Sequence, residues 1–511
     1  MKFNIKKLSS LVFLLTICLS TGCSDFLEEK DPSNLSPDNF YTLPEHAEPA
    51  VNAIYDRLRF LGDGAGIFSN NFQMVEAVTG TTTSETGQNQ DLNNLINVGH
   101  NADNGHNFNW WNGIYDGIQN ANLAINRISQ ITPMDENLKQ KFIAEAKFLR
   151  ALNYFWAVRL WGDVPLLTEP IFSSTDPNLN PTRSTQQAVY DQIVKDLTDA
   201  ETATALPWID PSGRASLGAI KSLLASVYLT MAGYPLQKGN EYYKKAADKA
   251  KEVIDQNVYR LFPEYANLHS SATENIGEHI FMLQYASVIS DNPIQALLLP
   301  NFKEISAYNT EIGTTVPRPE FVATYEAGDK RAQEMQFFYT SYYEGGSGAL
   351  KPLGAPYIFK LFDEKANGTA GAPGSARSEL NYPILRYAEV LLTYAEAQNE
   401  VAGPTQDVLN ALKLIRDRAQ LMTPTLGSID QSGLRTMILS ERWHELCYEG
   451  KTWFDMVRLR KAYNFTTKSF EDFVGHKFVY GPMLEEKHLL FPLPTAEIRN
   501  NLNLQPQNPG Y

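Results

Sequence analysis

The residue patterns that commonly mark a catalytic or metal site are incomplete in this sequence. His444-Glu445 has no second histidine four residues after the first, so it lacks the His-Glu-x-x-His pattern of a zinc hydrolase. Gly62, Gly64 and Gly66 lie close together, but neither the buried strand nor the lysine-bearing helix of a phosphate-binding loop accompanies them. No Gly-x-Ser-x-Gly segment occurs, and the eight histidines are scattered. The sequence therefore predicts no catalytic residue, no metal site and no cofactor.

One charged segment near the end of the chain has two interpretations. Between Gly433 and Arg460, charged side chains alternate with Leu, Ile, Trp and Phe, and six of them are of interest: Glu441, Arg442, Glu445, Asp455, Arg458 and Arg460. A catalytic role is one interpretation. A network of structural ion pairs between two packed helices is the other, and we favour it because buried charges are least costly when they are paired.

The overall composition narrows the class of protein. The 511 residues carry a formal net charge of −14, which disfavours binding to a phosphate backbone. Hydrophobic residues make up 43% of the chain and charged residues 20%, which is typical of a globular protein with a large core. The composition therefore argues against a nucleic-acid-binding protein and against a disordered one.

The N-terminal leader predicts the compartment. Basic residues are followed by an apolar stretch from Leu8 to Leu19, and small residues then lead to Gly22-Cys23. Residues 1–22 are therefore predicted to be a signal peptide. Their end resembles a bacterial lipoprotein box, which implies that Cys23 is acylated, although Ser20 stands where a large apolar residue is usual. The alternative is conventional cleavage beside an incidental cysteine.

The internal chain alternates helical segments with long irregular ones. Apolar residues recur at helical spacing in nine segments, over residues 111–128, 141–161, 184–197, 217–227, 242–254, 386–401, 405–420, 433–448 and 451–460. Ser184 followed by Gln187 is a capping-box pattern that predicts the start of the third helix. Short Gly- or Pro-containing turns between helices predict stacked hairpins of the tetratricopeptide kind, although no near-identical repeat of about 34 residues occurs.

Two irregular regions interrupt the helices, at residues 61–109 and 257–383. The first is rich in Gly, Thr and Asn, and the second carries fifteen Phe and Tyr residues between Phe281 and Pro383. So many aromatic residues are not typical of a disordered linker. We therefore expect ordered insertions that pack over the helical scaffold.

Seven ordered blocks of sequence resemble the SusD/RagB family of outer-membrane lipoproteins, which bind nutrients for a TonB-dependent transporter. They are CSDFLEEKDPSN, AEAKFLRALNYFWAVRLWGDVPLLTEP, GRASLGAIKSLLASVYL, NIGEHIFMLQY, YPILRYAEVLLTYAEAQN, ILSERWHELCYEGKTWFDMVRL and HLLFPLPTAEIRNNLNLQPQNPGY. The resemblance runs from Cys23 to Tyr511. Two small departures are Cys447, where a small residue such as Ala is usual, and Asn500-Asn501, where Asn-Pro is usual.

The resemblance implies a fold, a location and a partner. The fold would be mainly α, a tetratricopeptide-like helical-hairpin scaffold with long irregular insertions that form a ligand-binding half. After the signal peptide 1–22, residues 23–511 would form a single domain, with an N-terminal helical part at 23–256 and a C-terminal part at 257–511 that contains the loop-rich insertion 257–383. Cys23 would anchor the protein by lipid in the outer membrane, facing outward. The scaffold would dock against a TonB-dependent transporter, and the protein would have no catalytic activity.

Within this family, the first hypothesis is capture of an oligosaccharide or polysaccharide. Sugars offer apolar C–H faces and many hydroxyls, so their sites need aromatic platforms and polar side chains. The aromatic candidates lie outside the predicted helices and are Trp208, Tyr308, Phe337, Phe338, Tyr339, Tyr342 and Tyr343. The polar candidates come from the first irregular region and are Asn70, Asn71, Thr83, Glu85, Asn89 and Asp91. For each, ordinary packing or hydrogen bonding within a loop is the alternative.

Three other functions remain open at this point. A peptide could replace the glycan as ligand in the same family. A helical glycan-active hydrolase of the α/α-toroid kind is the alternative from another class, and a purely structural adaptor of the transporter is the third.

Overall fold

The structure is a computed structural model that describes residues 40–511 except 65, 174, 302, 304–310, 345–346 and 369–373. Its α-helices, in chain order, are α1 Ala47–Arg57, α2 Gln73–Ala77, α3 Gln90–Ile96, α4 Gly105–Gln130, α5 Glu136–Trp161, α6 Gln186–Ala200, α7 Leu217–Ala232, α8 Asn240–Asp255, α9 Gln295–Leu298, α10 Pro319–Val322, α11 Glu364–Asn367, α12 Tyr387–Ala402, α13 Gln406–Arg418, α14 Gln431–Glu445, α15 Thr452–Leu459 and α16 Thr495–Asn500. Its strands are β1 Thr82–Thr83, β2 His279–Leu283, β3 Val316–Pro317, β4 Phe338–Tyr343, β5 Leu350–Ile358, β6 Tyr382–Arg386, β7 Lys461–Asn464 and β8 Ser469–Asp472.

The long helices stack in chain order. α1 packs on α4, α4 on α5, α5 on α6, α6 on α7 and α7 on α8. The stack then continues from α8 directly to α12, across the whole of the 257–383 insertion, and α12 packs on α13 and α14. The prediction of a mainly α, hairpin-based scaffold with irregular insertions is confirmed.

All nine predicted helical segments are helical, and the differences lie at their ends. α5 begins at Glu136 rather than 141 because the Asp135 side chain accepts a hydrogen bond from the Leu138 amide at 2.9 Å. α6 is capped by Thr185, whose hydroxyl accepts from the Ala188 amide, and not by Ser184. α4 begins at Gly105, inside the first irregular region, because the Asn104 side chain caps it.

The second irregular region folds mainly through pairs of short antiparallel strands. β2 pairs with β6 and both pack against α7, which attaches the insertion to the scaffold. β4 and β5 form a hairpin, and β3 pairs with β1 of the first irregular region. One side of the hairpin covers a small second hydrophobic core that comprises Leu299, Val316, Tyr339, Tyr357, Phe359 and Phe362.

A buried network of ion pairs joins the insertion and the end of β6 to α13, α14 and the residues just after α14. We call it the central charge network; its cations are Arg331, Lys360, Arg386, Arg416 and Arg418, and its carboxylates are Glu278, Asp329, Glu441, Glu445 and Glu449. Arg386, at the end of β6, contacts Glu278, Glu445 and Glu449, and its guanidinium lies 2.7 Å from Glu449. All four of these side chains are at least 98% buried.

A second cluster lies between α14 and α15. Asp455 contacts Arg442 at 2.9 Å and Arg458 at 2.7 Å, and Arg458 also contacts Glu396 of α12. Five of the six charged residues singled out in the 433–460 segment therefore sit in buried ion pairs, and Arg460 lies 3.8 Å from the exposed Glu486. This confirms the structural interpretation of that segment.

Several absences apply to the described residues alone. Within the ranges given above, no helix is both long and apolar enough to cross a bilayer. The same residues contain no cluster of three or more His, Cys, Asp or Glu side chains that could hold a metal ion. Cys447 is buried and forms no disulfide with another described residue.

The central charge network predicts a large penalty for Glu449→Gln. The substitution leaves Arg386 and Lys360 buried with one carboxylate fewer, and breaking a buried pair costs about 3–5 kcal/mol. We expect denaturant unfolding at neutral pH to show this loss. Asp472→Asn, which removes an exposed carboxylate beside Lys461, is the control and should leave the free energy of unfolding unchanged.

The effect of Glu449→Gln on stability should depend on pH, because the substitution removes the negative charge of Glu449. Burial alone would raise the pKa of Glu449, but the charges of Arg386 and Lys360 lower it to about 2. Its stabilising contribution is thus complete above its ordinary pKa of 4.5 and is lost as the pH falls towards 2. The stability difference between native protein and Glu449→Gln should shrink over that interval, and a constant difference would contradict the assignment.

Candidate functional site

A polar groove of about 550 Å³ lies where α1 and α4 meet the segment that follows β2. Asp56, Arg57 and Arg59 contribute from α1 and the turn after it, and Gly62, Asp63 and Gly64 continue that wall. Asn109, Asn112 and Asp116 contribute from α4. Tyr285, Ser290, Asp291 and Pro293 form the facing side. We call this site the polar groove.

The groove uses the polar face near the start of α4. Asn109, Asn112 and Asp116 are spaced three and four residues apart, so they share one side of the helix. Trp110, Ile114 and Ile118 are buried in the core. The amphipathic pattern that seats α4 on the scaffold therefore also turns three hydrogen-bonding side chains towards the groove.

Glycines bring the walls of the groove close together. A Cβ on Gly113 would overlap the Phe60 ring, and a Cβ on Gly62 would collide with the Tyr285 hydroxyl. The two glycines therefore permit the contacts of α4 with Phe60 and of the Gly62 turn with Tyr285. All four residues of these two close contacts line the polar groove.

Some side chains of the groove are held by hydrogen bonds within the protein, whereas the side chain of Asn112 is available to a ligand. Asn109 donates to the Gly64 carbonyl at 3.1 Å and to Asn71 Oδ1 at 3.2 Å, and the Asn71 amide donates to the Phe60 carbonyl at 2.8 Å. Asn71 is itself 1% exposed. Asn112 makes no side-chain hydrogen bond to any described residue. Its amide is therefore available to a ligand as both donor and acceptor.

Charges in the groove largely face each other. Asp56 pairs with Arg59, and Arg57 lies 4.0 Å from Asp116. Burial raises the pKa of Asp63, against the opposing charges of Arg59 and Arg57. Such a site can hydrogen-bond a polar ligand, but it offers no concentrated positive charge to an anion.

The loops beside the groove expose several apolar side chains. Phe68 is 39% exposed, in the loop that follows Gly64, and Val288 and Ile289 are 78% and 86% exposed, in the loop between Tyr285 and Ser290. Phe68 has a φ of +57°, a backbone conformation that a bulky residue rarely adopts. The polar groove is thus flanked by loops that present apolar surface.

The aromatic candidates from the second irregular region mostly lie in hydrophobic cores. Phe337 and Phe338 are buried in the main core, and Tyr339 is buried in the second core. Tyr342 packs against the second core and donates to the Lys303 carbonyl at 3.1 Å. Tyr343, at the end of β4, is 39% exposed.

Trp208 does not line the polar groove. Trp208 is partly buried in a loop, where its carbonyl accepts hydrogen bonds from Tyr259 and from the amide of Gly218. Its ring lies 5.9 Å from the Lys221 ammonium. Tyr308 lies outside the described residues.

The polar candidates mainly hold the first irregular region together. Asn89 caps α3, Asp91 accepts from the Gly105 amide at 2.9 Å, and Thr83 pairs with Val316 in the β1–β3 ladder. Glu85 accepts from the Asn301 amide at 2.8 Å and from the Tyr357 hydroxyl. Asn70 donates to the Gly62 carbonyl, and Asn71 lines the polar groove.

Sequence reasoning missed the groove residues on α4 and α1. The spacing of Asn109, Asn112 and Asp116 on one helix face was the available signal. It carries little information alone, because every surface helix has a polar face. Only the tertiary contact with the segment after β2 turns that face into a groove wall.

The hydroxyl of Tyr285 generates a prediction about stability. It is buried without a hydrogen-bond partner among the described residues, so Tyr285→Phe should leave the free energy of unfolding unchanged or slightly higher. Tyr154→Phe makes the same chemical change, but its hydroxyl donates to the Leu167 carbonyl at 2.8 Å and accepts from the Leu167 amide. Denaturant unfolding should show a loss of about 1–3 kcal/mol for Tyr154→Phe alone. Equal effects of the two variants would refute the unpaired state of Tyr285.

Comparisons with known proteins agree with this architecture. A family model described as the SusD family matches residues 303–511, and one described as "Starch-binding associating with outer membrane" matches residues 25–229. SusD-like protein P2 of Formosa agariphila is 28% identical over 99% of both chains. The starch-binding protein SusD of Bacteroides thetaiotaomicron is 24% identical, over 74% of this chain and 73% of its own.

A solved structure supplies the strongest of these matches. The crystal structure of a SusD superfamily protein from Parabacteroides distasonis is 36% identical, covers 94% of this chain and 100% of its own, and superposes with a TM-score of 0.86. Helical structures with tetratricopeptide-like repeats characterise that superfamily, in agreement with the stacked hairpins described above. Because this identity extends over nearly the whole chain, the protein belongs to the SusD family.

Proposed function

We propose that this protein is a non-catalytic binding protein that captures a neutral oligosaccharide or polysaccharide in the polar groove. The observation that carries the proposal is the unpartnered amide of Asn112, held among Asn109, Asp116 and Asp63. A sugar hydroxyl both donates and accepts hydrogen bonds, and a mixed set of amide and carboxylate groups can satisfy both demands.

The charge distribution favours a neutral ligand. The arginines of the groove lie beside carboxylates, so a phosphate or carboxylate ligand would have to compete with Asp56 and Asp116. The apolar side chains of Phe68, Val288 and Ile289 could contact the C–H faces of a sugar that extends beyond the groove. The names of relatives support the same ligand class, since one of them is a starch-binding protein.

The remaining steps of the proposal concern location and delivery. Residues 1–22 are removed as a signal peptide, Cys23 is acylated, and residues 23–511 form one domain at the outer surface of the outer membrane. A TonB-dependent transporter takes up the captured glycan. The description of the matching family model, which includes association with the outer membrane, supports this location.

The earlier aromatic candidates remain proposals for outer contacts. Tyr343 is exposed at the end of a hairpin and could contact a long glycan. Trp208 and Tyr308 stay candidates of the same kind. Phe338 and Tyr339 would act through the packing of the hairpin, because their side chains are buried.

Asn112→Leu should weaken glycan binding without harming the fold. The substitution keeps the size of the side chain, removes its donor and acceptor, and disturbs no side-chain hydrogen bond to a described residue. Calorimetry against a panel of neutral oligosaccharides should show at least about 10-fold weaker binding, the effect of about 1.4 kcal/mol. Asn126→Leu is the matched control on the same helix outside the groove, where the Asn126 side chain accepts a hydrogen bond from the Gln130 amide at 3.1 Å.

Three results would overturn the proposal, two from calorimetry against oligosaccharide and peptide panels and one from product analysis after incubation with a bound oligosaccharide. Binding of peptides and of no oligosaccharide would favour the peptide-uptake alternative. Release of shorter sugars from a bound oligosaccharide would establish a hydrolase. An absence of any ligand binding would favour a structural adaptor.

Cys23→Ser should release the protein from the membrane. Without the thiol no acyl chain can be attached, and each buried methylene of such a chain contributes about 0.8 kcal/mol to membrane binding. Fractionation should move the variant to the soluble fraction. Cys18→Ser, inside the leader, is the matched control and should stay with the membrane; retention of both variants would contradict lipid anchoring.

A further inference from the structure

A second cavity lies within the helical scaffold and shares no lining residue with the polar groove. It measures about 330 Å³ and is bounded by α5, α6, α7, α15 and the segments 486–490 and 509–510. Its apolar lining includes Val158, Tyr190, Phe454, Val457, Leu489 and Leu490. Volume and lining are both typical of a small-molecule site.

Arg159 of α5 lines this cavity between two aromatic rings. Its Cζ lies 3.6 Å from the centroid of Phe155 and 3.7 Å from the centroid of Phe454. The two rings cover both faces of the guanidinium. Only its edge, where the N–H groups point, is left for hydrogen bonding.

That edge is mostly unused by the protein. Nε donates to the Phe155 carbonyl at 2.8 Å, and no other hydrogen bond or ion pair of Arg159 is formed with the described residues. The neighbouring Arg458 differs, because it contacts both Glu396 and Asp455. Arg159 is therefore a cation inside the scaffold whose Nη groups have no acceptor among the described residues.

The guanidinium of Arg159 stays charged in this cavity, although few carboxylates lie near it. Burial lowers the pKa of Arg159 to about 10, with Tyr190, Glu389 and Asp455 opposing this and Arg458 adding to it. The guanidinium thus stays protonated at neutral pH. Elsewhere in the lining, the two positive charges of Arg460 and Lys487 outnumber the single negative charge of Glu486, although the chain as a whole is strongly acidic.

We propose that this cavity binds a small carboxylate with an apolar body, whose carboxylate meets the Nη edge of Arg159 while its body fills the space beside Tyr190, Val457 and Leu490. A planar carboxylate matches the guanidinium edge and can accept two parallel hydrogen bonds from it. The apolar lining then selects a body of aromatic or aliphatic character. The site is separate from glycan capture.

Phenylacetate is the probe for this proposal. Two analogues separate the contribution of its carboxylate from that of its ring. Phenylacetamide keeps the ring but removes the charge, and acetate keeps the charge but removes the ring. Calorimetry on the full-length native protein should show phenylacetate binding at least about 10-fold more tightly than either. This comparison needs no variant, so it does not depend on how any substitution folds.

Two variants locate the binding. Arg159→Met keeps an unbranched side chain between the two rings but loses the charge, and it should abolish the preference for phenylacetate over the amide. Leu490→Trp should fill the cavity and remove binding while leaving Arg159 intact. Arg318→Met is the matched control, because Arg318 also stacks on a ring, with its Cζ 3.4 Å from the centroid of Tyr480, but does not line the cavity.

The proposal is overturned by any of three results. Phenylacetate and phenylacetamide could bind equally well, or the native protein could bind neither. Arg159→Met could also bind phenylacetate as tightly as the native protein and the Arg318→Met control do. Asn112→Leu should leave phenylacetate binding unchanged, which keeps this test independent of the polar groove.

Discussion

The burial of Arg386 is the constraint that fixes the position of the 257–383 insertion relative to the helical scaffold. Its guanidinium sits at the end of β6 and contacts Glu278 from the insertion together with Glu445 and Glu449 from the region of α14. Such a charge is tolerable inside a protein only while its carboxylates stay in place. If the insertion shifted relative to the scaffold, buried charges in both the insertion and the scaffold would lose their partners.

The strand pair β2–β6 connects the buried Arg386 to one wall of the polar groove. Glu278 immediately precedes β2, and β2 is held against β6 with His279 opposite Arg386 and Leu283 opposite Tyr382. Beyond the other end of the pair, the Tyr285 amide donates to Asn381 at 2.6 Å. Both ends of the strand pair are thus clamped. The segment from Tyr285 to Pro293, which forms one wall of the groove, starts from this fixed point.

Much of the scaffold could be predicted from the sequence because its signal is local. Apolar residues at helical spacing located nine helical segments, with errors at helix ends where a single capping side chain decides, as Asp135 does for α5. Helix α1, Ala47–Arg57, was not predicted. The interpretation of the 433–460 charges as ion pairs was also accessible, because buried charges need partners whatever the fold. These inferences used rules that operate within a helix or between neighbouring helices.

The site was less accessible because its determinants are not local. Tyr339 is buried because Tyr357, Phe359 and Phe362 lie around it, a fact that the composition of the region does not encode. Asn112 faces a groove because the segment after β2 lies opposite it, more than 170 positions along the chain. The sequence indicated a polar and aromatic ligand-binding half, whereas the contacts between distant segments determine which of those side chains face a ligand.

The most direct test of glycan capture in the polar groove is a crystal structure of the protein with an oligosaccharide that it binds in solution. We expect a sugar ring within hydrogen-bonding distance of the Asn112 side chain, between α4 and the segment from Tyr285 to Pro293. An oligosaccharide bound at the β4–β5 hairpin or beside Trp208, with the polar groove empty, would contradict it.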